Sequence, residues 1–123
     1  MSTNKYIVSI NNYAERHYIK SFAKKYMNKW DLTLSAIIFQ LENVELLSDT
    51  NYFGKINIFE NEYIAKGEFK IAGSKESKKS SGCRYIVKVN TKELTSEMLL
   101  IYHKSDVNMS NETVWWQDKI KDL

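Results

Sequence analysis

Cations recur along the second half of the chain at positions that a β-strand would turn to a single face. Lys66, Glu68 and Lys70 alternate with Gly67, Phe69 and Ile71, and Arg84 and Lys88 alternate with Cys83, Tyr85, Val87 and Val89. Successive strand residues point to opposite faces, so Lys66, Lys70, Arg84 and Lys88 would share one face. Tyr102 and Lys104, in a third such segment, would join them. The intervening 73–82 stretch contains no bulky apolar residue and adds Lys75, Lys78 and Lys79. A cluster of this kind suits a phosphodiester backbone: Arg forks two phosphate oxygens, Lys supplies point charge, and both release counterions. Tyr63, Tyr85, Tyr102, Trp115 and Trp116 are available to stack on bases. The competing explanation is that strand-face cations keep the sheet soluble, with Arg84 pairing Glu68 across the strands.

Two histidines are present, His17 and His103. An imidazole titrates near neutrality and can protonate a leaving oxygen, which makes His103, beside Tyr102 and Lys104 at a strand end, a candidate acid. Strict alternation places it with Leu99 and Ile101 on the other side of the sheet, where a half-buried structural histidine is the alternative. Other chemistries lack a motif. The chain has no glycine-rich phosphate loop, no GxSxG and no spaced His or Cys set for a metal, so no cofactor is expected. Cys83 is the single cysteine, which excludes an internal disulfide and points to a reducing cytoplasm.

The elements that must position these groups follow from periodicity. Residues 5–10 are rich in β-branched types and read as a strand, broken by Asn11-Asn12. From 14 to 26 the pattern is helical, with Ile19, Phe22, Ala23 and Tyr26 on one stripe and Arg16, Lys20 and Lys24 opposite. Asp31 is a good N-cap for a second helix over 31–47, whose apolar face is Leu34, Ile37, Ile38, Leu41 and Val44. Residues 48–63 read equally as loop or, at 55–59, as a short edge strand. Three alternating segments follow, near 64–71, 83–90 and 97–104, the last apolar on both faces as a central strand should be. Ser110 can cap a final helix over 111–121. The order is that of an α+β domain, with a helical hairpin on one face of an antiparallel sheet and the basic face left open.

Composition agrees with one domain over residues 1–123. The chain is 43% hydrophobic and 13% aromatic, with four Gly and no Pro, which excludes a disordered or collagen-like chain. The longest aliphatic and aromatic run, Ala36-Ile37-Ile38-Phe39, is far short of the roughly 20 residues a membrane helix needs. Met1-Ser2-Thr3-Asn4 leads directly into the first strand, so a secretory signal is not expected. Net charge is only +3 but uneven: residues 1–30 and 66–104 each carry +5, and residues 31–65 carry −5. That asymmetry suits a polyanion on one surface.

Three segments resemble motifs of the RelE/HigB-like toxins of bacterial toxin–antitoxin systems. Glu68-Phe69-Lys70-Ile71 is similar to the family's Glu-Leu-Arg strand. Ser80-Ser81-Gly82-Cys83-Arg84-Tyr85-Ile86-Val87 is similar to its Lys-Ser-Gly-Gly-x-Arg-Val-Ile strand, and Leu99 to Asp106 to its Leu-Leu-x-x-Phe-x-Lys strand. The resemblance spans roughly 5–105 in the family's element order; 48–65 looks like an insertion, and Trp115-Trp116 has no counterpart. It implies a RelE-like fold, an mRNA interferase acting on the ribosome without a metal, and a cognate antitoxin. It also implies roles. Arg84 and Lys70 would stabilise the phosphorane, Lys104 would stand at the third motif's Lys, Lys70 or Lys75 would be the base, and Tyr102 or His103 the acid. Lys66, Lys75, Lys78, Lys79 and Lys88 would hold RNA. Non-catalytic members, gyrase-directed toxins or RNA- or protein-binding adaptors, are the alternative on the same fold.

Overall fold

The computed structural model describes residues 4–121 and 123. The chain opens with strand β1 (Ile7–Ile10). Asn11 then accepts a hydrogen bond from the Tyr13 amide at 2.8 Å and caps α1 (Asn12–Ala14), which continues through a π-helical turn (Glu15–Ile19) into α2 (Lys20–Tyr26). Met27, with φ of 50°, reverses the chain, and α3 (Asn28–Glu42) starts at once. The second helix thus begins before Asp31, which stands in its first turn, where an acid still complements the helix dipole. Asn43 interrupts it: its side-chain amide donates to the Phe39 carbonyl at 2.8 Å, and a single further turn, α4 (Val44–Leu47), follows.

Residues 48–65 resolve largely into strand. β2 (Phe53–Phe59) and β3 (Glu62–Phe69) form a hairpin around Glu60 and Asn61, with Glu60 at the φ of 53° that a tight hairpin turn requires. β4 (Cys83–Asn90), β5 (Thr95–His103), a 3-10 turn (Lys104–Asp106) and α5 (Glu112–Ile120) complete the chain. Asn111 rather than Ser110 caps α5, accepting from the Val114 amide at 3.0 Å.

The α+β architecture matches the expectation, with two differences that matter for the site. First, the sheet is mixed. Its order is β1-β5-β4-β3-β2, antiparallel from β2 to β5, but β1 pairs parallel to β5 with Ile7 opposite Thr95. Period-two patterning fixes faces, not partners, so the direction of β1 is invisible to it. Second, both faces are covered. One packs Tyr63, Ala65, Phe69, Tyr85, Val87 and Met98 against Ile19, Phe22, Trp30, Ile37 and Leu41 of the helices. The other packs Ile86, Leu100 and Tyr102 against Trp115 and Trp116 of α5.

Gly67 makes the main core possible at one point. It lies directly opposite Tyr85, whose ring passes over it so closely that a Cβ would fall 2.1 Å from the Tyr85 ring. Tyr85 is buried and has nowhere to swing. Gly67→Ala should therefore cost about 1–3 kcal/mol through forced repacking, read as a lowered urea midpoint with unchanged m-value. An unchanged midpoint would show that the ring is not fixed there.

Candidate functional site

Arg84 is the organising residue of the face that α5 covers. Its cross-strand neighbours are Glu68 on β3 and Tyr102 on β5. The side chain is only 5% exposed, so its charge must be met locally. It is met by the Glu68 carboxylate at 3.3 Å and by the carbonyls of Lys79 and Cys83, each at 3.0 Å. The Lys79 carbonyl is available because serines order the 73–82 loop. Ser77 and Ser80 exchange backbone-to-side-chain hydrogen bonds at 3.1 Å, and the buried Ser81 hydroxyl donates to the Lys78 and Phe69 carbonyls. Gly82, at φ of 81°, then turns the chain into β4 beneath the His103 ring.

One further carboxylate enters from above. Glu112, in the first turn of α5, accepts a hydrogen bond from the Tyr102 hydroxyl at 2.6 Å and an ion pair from Lys66 Nζ at 2.9 Å, both on Oε2. Burial alone would push the Glu112 carboxyl up. The hydrogen bonds from Tyr102 and Lys66 and the charges of Lys66 and Arg84 outweigh that and hold it below its usual 4.5. Burial, reinforced by the Glu112 hydrogen bond and charge, drives the Tyr102 phenol well above 10. Tyr102 is therefore a neutral donor at physiological pH, and a weak acid in this arrangement. Trp115 packs on its ring with centroids 4.9 Å apart.

The remaining sequence-derived candidates divide by position. Lys88 faces the same side and lies 3.8 Å from Glu97. That pairing exists because β5 carries a bulge: Ile86 sits opposite Leu100 but Val87 opposite Met98, so Leu99 is extra and Glu97 turns toward Lys88. Lys70 is exposed just past β3 and donates to the Ser74 carbonyl at 3.3 Å. Lys75 and Lys79 are exposed on the loop, and Lys78 Nζ sits 3.8 Å above the Tyr52 ring centroid. Lys104 is exposed in the 3-10 turn beyond β5.

His103 does not join Arg84 and Tyr102. It lines a hollow with Phe22, Lys25 and Tyr26 on the helical-hairpin side. Nδ1 accepts from the Ser105 amide at 3.0 Å, which fixes the proton on Nε2 and aims it at the Ser81 carbonyl, also at 3.0 Å. Both ring nitrogens are thus committed to holding the β4 and β5 ends. Tyr63 and Tyr85, expected to offer rings to bases, are buried on that side too, and Trp115 and Trp116 are buried beneath α5. The face expected to be open is therefore roofed, because the final helix puts its two largest apolar groups there rather than into solvent.

Sequence reasoning missed Glu112, Glu97 as the Lys88 partner, and Tyr52. An acid in the first turn of a helix is commonplace, so Glu112 carried no signal without knowing where α5 docks. Two adjoining hollows of about 320 and 350 Å³ share Asn51, Tyr52 and Glu68. Lys55 and Lys66 line the first, Lys78 and Lys79 the second, and together they make a basic groove from β2 to the loop.

No protein-family model matches the sequence, and no curated protein matches it. Among solved structures, the chain is similar to one described as the crystal structure of the archaeal RelE–RelB complex from Pyrococcus horikoshii OT3. The TM-score is 0.54 at 16% identity, over 84% of this chain and 99% of that one. The chain has a RelE-like fold.

Arg84→Ala should destabilise the protein by about 1.5–3 kcal/mol, since it strands Glu68 and two buried carbonyls; Glu68→Gln in the same background should add less than it does alone. Urea titration of the double-mutant cycle measures this, and strict additivity would refute the coupling. Glu112 adds a pH signature. With its folded value below 4.5, the contact contributes fully above about pH 4.5 and is lost as pH falls through the depressed value. Melting temperatures of the native chain and Glu112→Gln should therefore converge as the pH falls from neutral through that depressed value.

Proposed function

We propose that this chain is the toxin of a toxin–antitoxin pair, a ribosome-dependent endoribonuclease that cuts mRNA by attack of a ribose 2′-OH. The observation that carries the reading is the RelE-like fold extending over nearly the whole of the archaeal chain, with a basic groove beside Arg84. Lys55, Lys66, Lys78 and Lys79 line that groove together with Tyr52, combining cations for phosphates with an aromatic ring. Arg84, fixed by three acceptors, supplies a permanent positive potential where a phosphorane would gather charge. Lys70 and Lys75, both exposed, are the groups to approach the 2′-OH, and Tyr102, once released from Glu112, lies across the strand from Arg84. The partner is an antitoxin, as the similar archaeal RelE is found in complex with RelB. Leu32 and Phe39, both exposed and seven residues apart on α3, offer it an apolar patch. We place the protein in the cytoplasm on its single, buried cysteine and treat residues 1–123 as one domain.

One observation favours a second reading, a non-catalytic member of the fold: Arg84 and Tyr102, the groups best placed for chemistry, are both buried under α5.

Induced expression followed by primer extension on translated mRNA separates the readings. The nuclease reading expects growth arrest with cleavage inside codons. DNA damage without cleavage would support a gyrase-directed toxin, and the lack of both would support an adaptor. In vitro, Lys78→Ala and Lys79→Ala should each weaken binding of single-stranded RNA and lower the slope of log affinity against log salt by about 0.7. An unchanged slope would remove the loop from the RNA path.

A further inference from the structure

Two donors on β3 and β5 converge beneath the first turn of α5, with a buried cation on the strand between them. Lys66 Nζ from β3 and the Tyr102 hydroxyl from β5 both reach Glu112 Oε2, at 2.9 and 2.6 Å, and the Arg84 charge lies between them on β4. The group that completes this pocket is not part of the sheet. It arrives on a separate helix, reached through residues 107–111, which form neither helix nor strand. A carboxylate oxygen with an ammonium, a hydroxyl and a nearby guanidinium around it has the charge and acceptor geometry of a phosphate oxygen. The pocket is not sealed from the surface either. Lys66 and Glu68 also line the open groove of about 320 Å³ that runs along β2 and β3.

Resting on the RNA reading above, we propose that Lys66 and Tyr102, beside the buried Arg84 charge, form a phosphodiester-binding position that Glu112 fills in cis, and that an RNA phosphate entering from the groove displaces it and lifts α5. Glu112 acts here as a built-in competitor. While it is seated, Lys66 and Tyr102 are satisfied and Trp115 roofs the Tyr102 ring. When an RNA phosphate takes the position, the carboxylate is repelled by like charge, and the helix loses the polar anchor of its first turn. Trp115 and Trp116 then pass from a buried to a wetter setting. The apparent affinity for RNA is the intrinsic affinity reduced by the fraction of molecules with the position vacant.

The test uses the full chain, a labelled single-stranded RNA oligonucleotide and fluorescence anisotropy at fixed salt. Glu112→Gln keeps the size and an acceptor for Tyr102 but removes the charge; it should bind RNA about tenfold tighter, within the usual range of such couplings. Glu112→Ala should do at least as much. Asp118→Asn removes the same charge from the same helix, where Asp118 pairs with solvent-exposed Lys121 at 2.9 Å, and should change affinity far less. RNA added to the native chain should shift tryptophan emission to the red, and inorganic phosphate alone should not. The proposal is overturned by unchanged or weaker RNA binding in Glu112→Gln, or by an equal gain in Asp118→Asn. A red shift with phosphate alone would assign the position to free phosphate and overturn displacement by RNA. Circular dichroism of each variant confirms that the comparison is between folded proteins. Failure to cleave mRNA in cells would leave this result standing, and failure here would leave cleavage standing.

Discussion

A guanidinium that is 5% exposed in a sheet imposes conditions on everything around it. Arg84 cannot shed its charge, and a bare buried cation is prohibitively unfavourable. Its surroundings are therefore assembled from three directions: a carboxylate across the strand, a carbonyl from its own turn, and a carbonyl from a loop five residues upstream. The loop can present that carbonyl only because Ser77, Ser80 and Ser81 fix its path. The same constraint accounts for the polar character of a face that also buries Trp115 and Trp116. Glu68 pairs with the guanidinium, and on the same face Lys66 and Tyr102 both meet Glu112, so none of these groups is stranded.

The elements that depend on local periodicity were readable in the sequence. The stripes of α2 and α3 and the alternation of β3, β4 and β5 follow from side-chain spacing, and the structure keeps them to within a few residues at their ends. Arg84 stood out in the sequence as a group for chemistry, while its pairing with Glu68, which the structure contains, was only the competing explanation. The rest was set by long-range geometry. Whether β1 runs parallel or antiparallel is decided by where the helical hairpin returns the chain. The β5 bulge at Leu99 is invisible in a segment that is apolar at every position, although it decides that Lys88 meets Glu97.

The hardest features to read were those contributed by α5. Val114, Trp115 and Ile120 mark it as a helix with something to bury, but nothing local says which face of the sheet receives it. Once it docks opposite the hairpin, an ordinary first-turn glutamate becomes the acceptor for two groups that were expected to be free. His103 shows the converse. A residue type suited to chemistry is held by Ser105 on one nitrogen and Ser81 on the other, so composition suggested a role that its neighbours have already taken up.

The parallel pairing of β1 with β5 also bears on how the chain comes together during synthesis. Ile7 finds its partner at Thr95, 88 residues later, so the first strand made waits for the last. Until then β1 has no hydrogen-bonding neighbour in the sheet, and the hairpin helices have only part of the surface they cover. Such pairing makes closure late and slow relative to the local helices and hairpins. A nascent chain stalled before β5 would hold its helices without a finished sheet, and Arg84 would lack Tyr102 beside it. The Tyr102 side of the Arg84 neighbourhood is therefore completed only with the last strand.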